Sequence, residues 1–131
     1  MFELSGKSKS HLVDVHPDLV RLAHRAIKHS RIDFGISEGV RSEDRQYELY
    51  HQKKTTTLYS QHFIKESSGY GHAIDIFAYI NGQANWNFRN YGPIIQAFQT
   101  EAIALGIQVQ FGHLWKEFQD SPHIQLNPRY Y

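Results

Sequence analysis

The sequence predicts an α+β fold in which a small antiparallel sheet is packed by about three helices. Three observations support this class. The predicted elements follow one another as helix, strand, helix, strand, helix, strand, strand. Residues Ala73–Ile80 form a nearly continuous apolar stretch, which is typical of a buried strand. The next dipeptide, Asn81-Gly82, is a hairpin-turn signal, so we expect the chain to return beside that strand.

The first predicted helix begins at Pro17, after an irregular segment over residues 1–16. Proline is tolerated in the first turn of a helix, and Asp18 beside it complements the helix dipole. Apolar residues then recur at helical spacing and predict one buried face. These residues are Leu19, Leu22, Ala23, Ala26 and Ile27.

The middle of the chain alternates between short regular elements and loops. A strand is predicted over residues 34–38, and Ser42 then caps the second helix. The threonine run at residues 55–57 is a poor helix former and favours an extended segment. Residues 63–72 are rich in serine and glycine, which predicts a loop before the apolar strand.

The third helix is predicted from about residue 88 to residue 105, with Asn87 as its cap and Gly106 as its stop signal. Residues 107–111 alternate between apolar and polar side chains, which indicates a half-buried strand. A last short strand is predicted at His123–Leu126.

The totals fit a single globular domain over residues 1–131. Hydrophobic residues make up 40% and charged residues 21%, which excludes a disordered chain. A formal net charge of +1 gives no electrostatic reason to expect a nucleic-acid partner. The absence of cysteine excludes disulfides, thiolate nucleophiles and cysteine-type zinc sites. Any metal site must therefore use carboxylates and some of the nine histidines.

The residues that carry chemistry lie mainly in residues 60–75 and near the C-terminus. An aspartate inside a buried strand is costly unless it is paired or binds a metal, so Asp75 is the best candidate ligand. Alternatively, it accepts backbone hydrogen bonds or caps a turn. With His62 and His123 it forms a His/Asp/His set, and zinc hydrolases use three such ligands and keep a fourth position for water. Asp120 is the neighbouring carboxylate that would move the proton of that water.

Five segments resemble, in the same order, the D-alanyl-D-alanine carboxypeptidase and L-alanyl-D-glutamate endopeptidase group of zinc peptidases. They are VHPDLV (15–20), ISEGVRSEDRQYELY (36–50), TLYSQH (57–62), GHAIDI (71–76) and FGHLWKEFQDSPHIQL (111–126). Within that group the chain is most similar to short single-domain phage endolysins and bacterial cell-wall lytic enzymes. The resemblance implies a hedgehog-like and D-Ala-D-Ala-peptidase-like fold with a Zn²⁺ site on the sheet.

The resemblance also implies roles for individual residues. The group's Ser-x-His and Gly-x-Ala-x-Asp motifs place zinc ligands at His62 and Asp75. Its last zinc histidine follows an acid by three residues, which corresponds to His123 and gives Asp120 the general acid/base role. Arg41 resembles the arginine that binds a carboxylate or carbonyl of the peptide substrate, a task for which the guanidinium fork is well suited.

Further residues are expected around this set. Trp115 resembles the aromatic residue of the group's Gly-x-x-Trp turn and would wall the site. His113 is a candidate substrate residue, or a residue that supports the metal ligands. Zinc-bound histidines donate their other ring N–H to an acceptor, and Glu38 and Ser60 are candidates for that acceptor.

The chain departs from the group in the loop that follows the first histidine. The group has Ser-x-His-x-x-Gly, whereas here residues 65–70 are extra before Gly71. Counting strictly back from Gly71 places Ser68 in the ligand position. We prefer His62, because the segment before it matches the group and an added loop costs less than a lost ligand. His72 is a further alternative ligand.

The implied function is that of a zinc-dependent peptidoglycan hydrolase, an endolysin that cleaves the L-alanyl-D-glutamate bond of the stem peptide. The alternatives are a D,D- or L,D-carboxypeptidase acting on the same peptide, and an inactive peptidoglycan-binding relative. The sequence contains neither the apolar run of a signal peptide nor the roughly 20 apolar residues of a membrane span. We therefore expect a monomer that is made in the host cytoplasm without membrane insertion. It would act on the cell wall after release, through a holin pore if it comes from a phage.

Overall fold

The computed structural model describes residues 1–54 and 60–131. Within them the helices are α1 (Gly6–His11), α2 (Pro17–His29), α3 (Glu43–His51) and α4 (Tyr91–Leu105). The strands are β1 (Asp33–Glu38), β2 (Ala73–Ile80), β3 (Gln83–Asn85), β4 (Val109–Phe111) and β5 (His123–Leu126). Short 3-10 turns occupy Phe88–Asn90 and Gly112–Leu114. The predicted α+β class is confirmed, whereas the extended segment predicted at residues 55–57 lies outside the described residues.

All strands belong to one antiparallel sheet in the order β1-β2-β5-β4, and β3 pairs with the C-terminal part of β2. Burial alternates along β2. Ile74, Ile76 and Ala78 are buried in the core that α2 and α4 share with the sheet. Asp75 and Phe77 are only partly buried, because a strand points successive side chains to opposite faces. The outer face of the sheet therefore carries Asp75.

The predicted start of α2 and end of α4 are confirmed, whereas α4 begins at Tyr91 instead of about residue 88, because Asn87 caps the separate 3-10 turn Phe88–Asn90. Pro17 opens α2, the ring of His16 caps it by accepting a bond from the Asp18 N–H at 3.1 Å, and the predicted apolar face is buried. Gly106 ends α4 in the left-handed conformation, with φ of 70°, which glycine adopts without strain. None of the helices in the described ranges combines the length and apolarity needed to cross a bilayer.

Helix α1 corrects the expectation of three helices and of an irregular segment over residues 1–16. It has six residues and no apolar stripe, so hydrophobic periodicity could not reveal it. The Ser5 side chain caps it by accepting a bond from the Ser8 N–H. Ser8 is buried, and its Oγ accepts a bond from the Ile36 N–H at 3.0 Å. A helix this short is held by such tertiary contacts rather than by its own propensity.

Candidate active site

Strand register sets three polar side chains in one row across the outer face of the sheet. Asp75 of β2 pairs with Glu38 of β1 on one side and with His123 of β5 on the other. The register of β1 shifts between Ile36 and Glu38, and the intervening Ser37 donates a hydrogen bond from Oγ to the Asp75 carbonyl oxygen at 3.3 Å. This irregularity brings the Glu38 side chain opposite Asp75.

His62 enters beside this row from the loop that precedes β2. Its backbone N–H donates to Ser60 Oγ at 3.0 Å, and its carbonyl oxygen accepts from the Arg41 N–H at 3.0 Å. The ring then approaches Asp75, with Nε2 lying 3.4 Å from Oδ1. His123 Nδ1 lies at the same distance from that oxygen. One ligand atom from each of the three residues lies within 4.8 Å of the other two, so the structure brings together the set predicted from sequence.

The atoms at the centre of this group match what a metal ion requires. His62 Nδ1 donates to the Gly39 carbonyl oxygen at 2.8 Å, so Nε2 presents its lone pair towards Asp75. In the described part of the chain, His62 Nε2 and Asp75 Oδ1 are buried without a hydrogen-bond partner. Two buried acceptors that face each other are unfavourable unless a cation lies between them. Two imidazoles and a carboxylate are a donor set that suits Zn²⁺, so this group can hold a metal ion. We call His62, Asp75 and His123 the metal group, because together they can hold such an ion.

His123 is oriented in a similar way, by two consecutive hydrogen bonds between side chains. His123 Nε2 bonds to Gln125 Oε1 at 2.7 Å, and Gln125 Nε2 donates to Gln110 Oε1 at 2.7 Å. This leaves His123 Nδ1 as the atom that faces Asp75. Neither ring therefore uses Glu38 or Ser60, the acceptors suggested by sequence, because a backbone carbonyl and a glutamine take that place.

The electrostatics of Asp75 favour its ionised form. Burial alone would raise the pKa of the Asp75 carboxyl. The neighbouring rings of His123 and His62 outweigh burial and hold this pKa well below its usual range. A carboxylate that stays ionised across the physiological pH range is what a metal ligand requires.

Asp120 lies on the loop that leads into β5 and lines the same cavity. Its N–H donates to the Gly112 carbonyl oxygen at 3.0 Å, and its own carbonyl accepts from the His123 N–H at 3.1 Å. A Cβ atom at Gly112 would lie 2.1 Å from the Asp120 carbonyl oxygen, so only glycine permits this approach. Burial and the charge of Asp75 raise the pKa of the Asp120 carboxyl, against the opposing effects of the histidines and Arg41. A raised pKa suits a carboxylate that must accept a proton.

Arg41 is held tightly beside the row formed by Glu38, Asp75 and His123. It donates two bonds of 2.8 Å to Glu38, one of 2.8 Å from Nη1 to Gln46 and one of 3.3 Å from Nη2 to Asp75 Oδ2. Its side chain is only 10% exposed. Arg41 lines the cavity, as a substrate-binding residue would, but its observed bonds orient Asp75, a candidate metal ligand.

These residues lie in the wall of a cavity of about 830 Å³. Trp115 forms part of the wall, as predicted, with its ring centroid 5.5 Å from that of His123. Lys53, Lys54 and Lys65 also line the cavity. Sequence reasoning did not single out these lysines, because no motif marks them and only the fold brings them to one cavity.

Comparisons with known proteins agree with this geometry. The family model of the phage L-alanyl-D-glutamate peptidase matches residues 1–127. The chain belongs to this peptidase family. The L-alanyl-D-glutamate peptidase of Escherichia phage T5 is 31% identical over 124 residues, which cover 91% of this chain and 85% of that protein.

A solved structure is similar to this phage-type peptidase over nearly its whole length. The crystal structure of the Serratia marcescens L-Ala D-Glu endopeptidase ChiX matches with a TM-score of 0.89 and 37% identity. The match covers 99% of this chain and 93% of that one. The family assignment, the enzyme class and the α+β fold expected from sequence are therefore confirmed.

The structure of this peptidase also locates the alternative residues. Ser68 Oγ lies 2.7 Å from His72 Nε2, and neither residue belongs to the metal group. His72 is on the helix-facing side of the sheet, with its ring centroid 5.3 Å from that of His16. The preference for His62 over Ser68 as the residue in the metal group therefore agrees with the geometry.

His113 lies outside the cavity wall, which does not favour the substrate contact expected from sequence. Its ring packs on Phe88, with the centroids 4.6 Å apart, and its Nδ1 bonds to Ser121 Oγ at 2.9 Å. Because Ser121 follows Asp120, this contact supports the loop that carries the carboxylate.

Proposed function

We propose that this peptidase hydrolyses the L-alanyl-D-glutamate bond of peptidoglycan stem peptides with Zn²⁺ held by His62, Asp75 and His123. The observation that carries the proposal is the convergence of three ligand atoms in the wall of a cavity that also contains Asp120. Both named relatives are L-Ala-D-Glu peptidases, which supports the choice of scissile bond.

Bound Zn²⁺ supplies a Lewis acid that polarises a carbonyl group and lowers the pKa of water. The residues of the chain do the rest. Asp120 accepts the proton of the attacking water and delivers it to the leaving amine, which becomes the new N-terminus of D-glutamate. Its raised pKa increases its strength as a base. The Nδ1–H of His62 donates a hydrogen bond to the Gly39 carbonyl oxygen, so the ring keeps one orientation throughout the reaction.

Arg41 has two tasks in this proposal. Its Nη2 bond to Asp75 Oδ2 leaves the other carboxylate oxygen, Oδ1, directed at the two histidines. Because Arg41 also lines the cavity, its guanidinium places positive charge near the substrate, where it can attract a carboxylate or the developing oxyanion. Glu38 holds the guanidinium in place through two bonds.

The charges on the cavity wall fit an acidic peptide. A stem peptide presents the free carboxylate of D-glutamate next to the proposed scissile bond. Lys53, Lys54 and Lys65 supply cations for such a group, and Trp115 supplies an apolar surface for the peptide chain.

We propose that the enzyme acts on the cell wall after release from the host cytoplasm, and that it does so as a monomer.

The test combines metal analysis with mass spectrometry of digested peptidoglycan. One zinc ion per chain and products with a new N-terminal D-glutamate are expected. Chelation should abolish product formation, and added Zn²⁺ should restore it. Release of D-alanine alone would instead indicate a carboxypeptidase. Wall binding without metal or products would indicate an inactive relative.

A further inference from the structure

The outer face of the sheet carries an aromatic surface next to the metal group. Phe77 and Tyr79 follow Asp75 at intervals of two residues on β2, so all three side chains point to the same side. Trp86 comes directly after β3, and its ring centroid lies 5.3 Å from that of Phe77. The centroids of Phe77 and Tyr79 are 4.8 Å apart. We call Phe77, Tyr79 and Trp86 the aromatic face.

A glycine on the neighbouring strand makes room for these rings. Gly35 of β1 pairs with Phe77 across the sheet. A Cβ atom at Gly35 would lie 2.6 Å from Phe77 Cζ and 3.0 Å from Tyr79 Cε2. The rings of Phe77 and Tyr79 therefore lie over the backbone of β1, where any other residue would displace them.

The aromatic face remains accessible to solvent. Trp86 is 54% exposed, and Phe77 and Tyr79 are partly exposed on the sheet face that lacks α2 and α4. A group of large aromatic side chains left at the surface is typical of a binding site. The three rings carry no charge, and Asp33 is the residue of β1 that pairs with Tyr79. The peptide cavity, by contrast, is lined by lysines and carboxylates.

The spacing of the strand relates the aromatic face to the substrate. Same-side residues on a strand are about 7 Å apart, so Phe77 lies about 7 Å and Tyr79 about 14 Å from Asp75 along β2. In peptidoglycan, a short lactyl ether joins the L-alanine of the stem peptide to a sugar of the glycan strand. If the bond after L-alanine is held at the metal group, as the proposed function requires, this short linker keeps a sugar close to the row of Asp75, Phe77 and Tyr79.

We propose that the aromatic face binds the glycan strand of peptidoglycan by stacking its rings against the apolar faces of the sugars. An aromatic ring provides a flat, rigid apolar surface whose negatively polarised face attracts C–H groups. This inference rests on the proposed function, because that function places the stem peptide in the adjacent cavity. The enzyme then recognises the polymer through two contiguous surfaces, a charged one for peptide and an aromatic one for sugar.

The experiment compares hydrolysis of one stem peptide in two forms, free and linked to its disaccharide. Trp86→Ala should lower kcat/KM for the sugar-linked peptide by about tenfold and leave that for the free peptide within about twofold. Trp86→Phe should restore most of the loss, because it keeps a ring. Tyr130→Ala removes another exposed aromatic residue and should affect neither substrate. Equal losses on both substrates, or no loss on either, would overturn the proposal.

A binding measurement separates this proposal from the proposed function. Glycan strands freed of peptide by an amidase are titrated into the Trp115→Phe variant, and tryptophan fluorescence is recorded. Trp86 is the remaining tryptophan of this variant, so the signal comes from the aromatic face. A saturable change in fluorescence, and weaker co-sedimentation of Trp86→Ala with whole walls, should be observed even if no peptide bond is cleaved. No fluorescence change would overturn the glycan site while leaving the peptidase activity intact. A dimer that Trp86→Ala dissociates would also overturn it, because a second copy would then cover the face.

Discussion

Arg41 and Glu38 form a two-bond ion pair at one end of the row Glu38, Asp75 and His123, with both nitrogen–oxygen distances at 2.8 Å. The pair places a fixed positive charge beside Asp75, to which the same guanidinium donates a further bond. Lysine cannot reproduce this geometry, because its ammonium group lacks the planar fork. The pair therefore gives Arg41 a positioning role in addition to any contact with substrate.

We expect Arg41→Lys to lower kcat by about 10- to 100-fold, the usual range for residues that orient metal ligands. The zinc dissociation constant should rise, because Asp75 loses a defined partner. Steady-state kinetics on a free stem peptide and competition with a zinc chelator provide the two measurements. A rise in KM alone, with unchanged zinc affinity, would show that Arg41 acts only on the substrate.

The choice between His62 and Ser68 gives a second prediction. His62→Ala should lose bound zinc and activity, because it removes one of the three converging ligand atoms. Ser68→Ala should keep both, because the Ser68 hydroxyl bonds to His72 instead of the metal group. Zinc content after gel filtration is the direct measurement. Loss of zinc from the serine variant, with retention in the histidine variant, would reverse the assignment of the loop.

Sequence reasoning assembled the metal group from one local signal and from the resemblance. Asp75 stood out as a charge inside an apolar strand, whereas the resemblance supplied the spacing that singled out His123 after Asp120. Strand register then brings Asp75 and His123 opposite each other, through a pairing of β2 with β5 that the sequence analysis did not predict. His62 was harder to assign, because the loop that follows it changes the spacing expected from the resemblance.

The supporting contacts could not be predicted, because they depend on tertiary structure and on backbone atoms. The acceptor for His62 is the carbonyl oxygen of Gly39, and any residue type presents such an oxygen. Helix α1 packs against this point, since a Cβ atom at Gly39 would lie 1.8 Å from the His11 carbonyl oxygen. That helix lacks an apolar stripe, so neither it nor its contact with β1 leaves a signal in the sequence.

Replacement of Asp120 tests the proton-transfer role. Asp120→Asn keeps the size of the side chain and the backbone bonds to Gly112 and His123, so folding and zinc content should be unchanged. It removes the group that accepts the proton, and kcat should fall by about 10²- to 10⁴-fold. Turbidity loss of wall suspensions and hydrolysis of a free stem peptide measure this effect. Activity within about twofold of the wild type would exclude Asp120 as the general base.

The last prediction concerns acid stability and a histidine that lies outside the metal group. Burial lowers the pKa of His72 below 6.5, and the nearby His16 and Lys65 lower it further. The unfolded chain therefore binds this proton more readily than the folded chain. The contribution of the neutral, buried His72 ring to the free energy of unfolding is complete above pH 6.5. This contribution is lost as the pH falls from 6.5 towards the lowered pKa of His72.

His72→Phe keeps a ring in the buried position and removes the titration. The slope of the free energy of unfolding against pH, between about pH 7 and 5, should decrease. The decrease should correspond to up to about one fewer proton taken up on unfolding. Urea unfolding at a series of pH values, with zinc kept saturating, measures the slope for the wild type and the variant. Ser68→Ala is the matched control, since it removes the hydroxyl partner of His72 but leaves the ring to titrate. If the wild type and His72→Phe had the same slope, burial of the neutral His72 ring would not limit stability in acid.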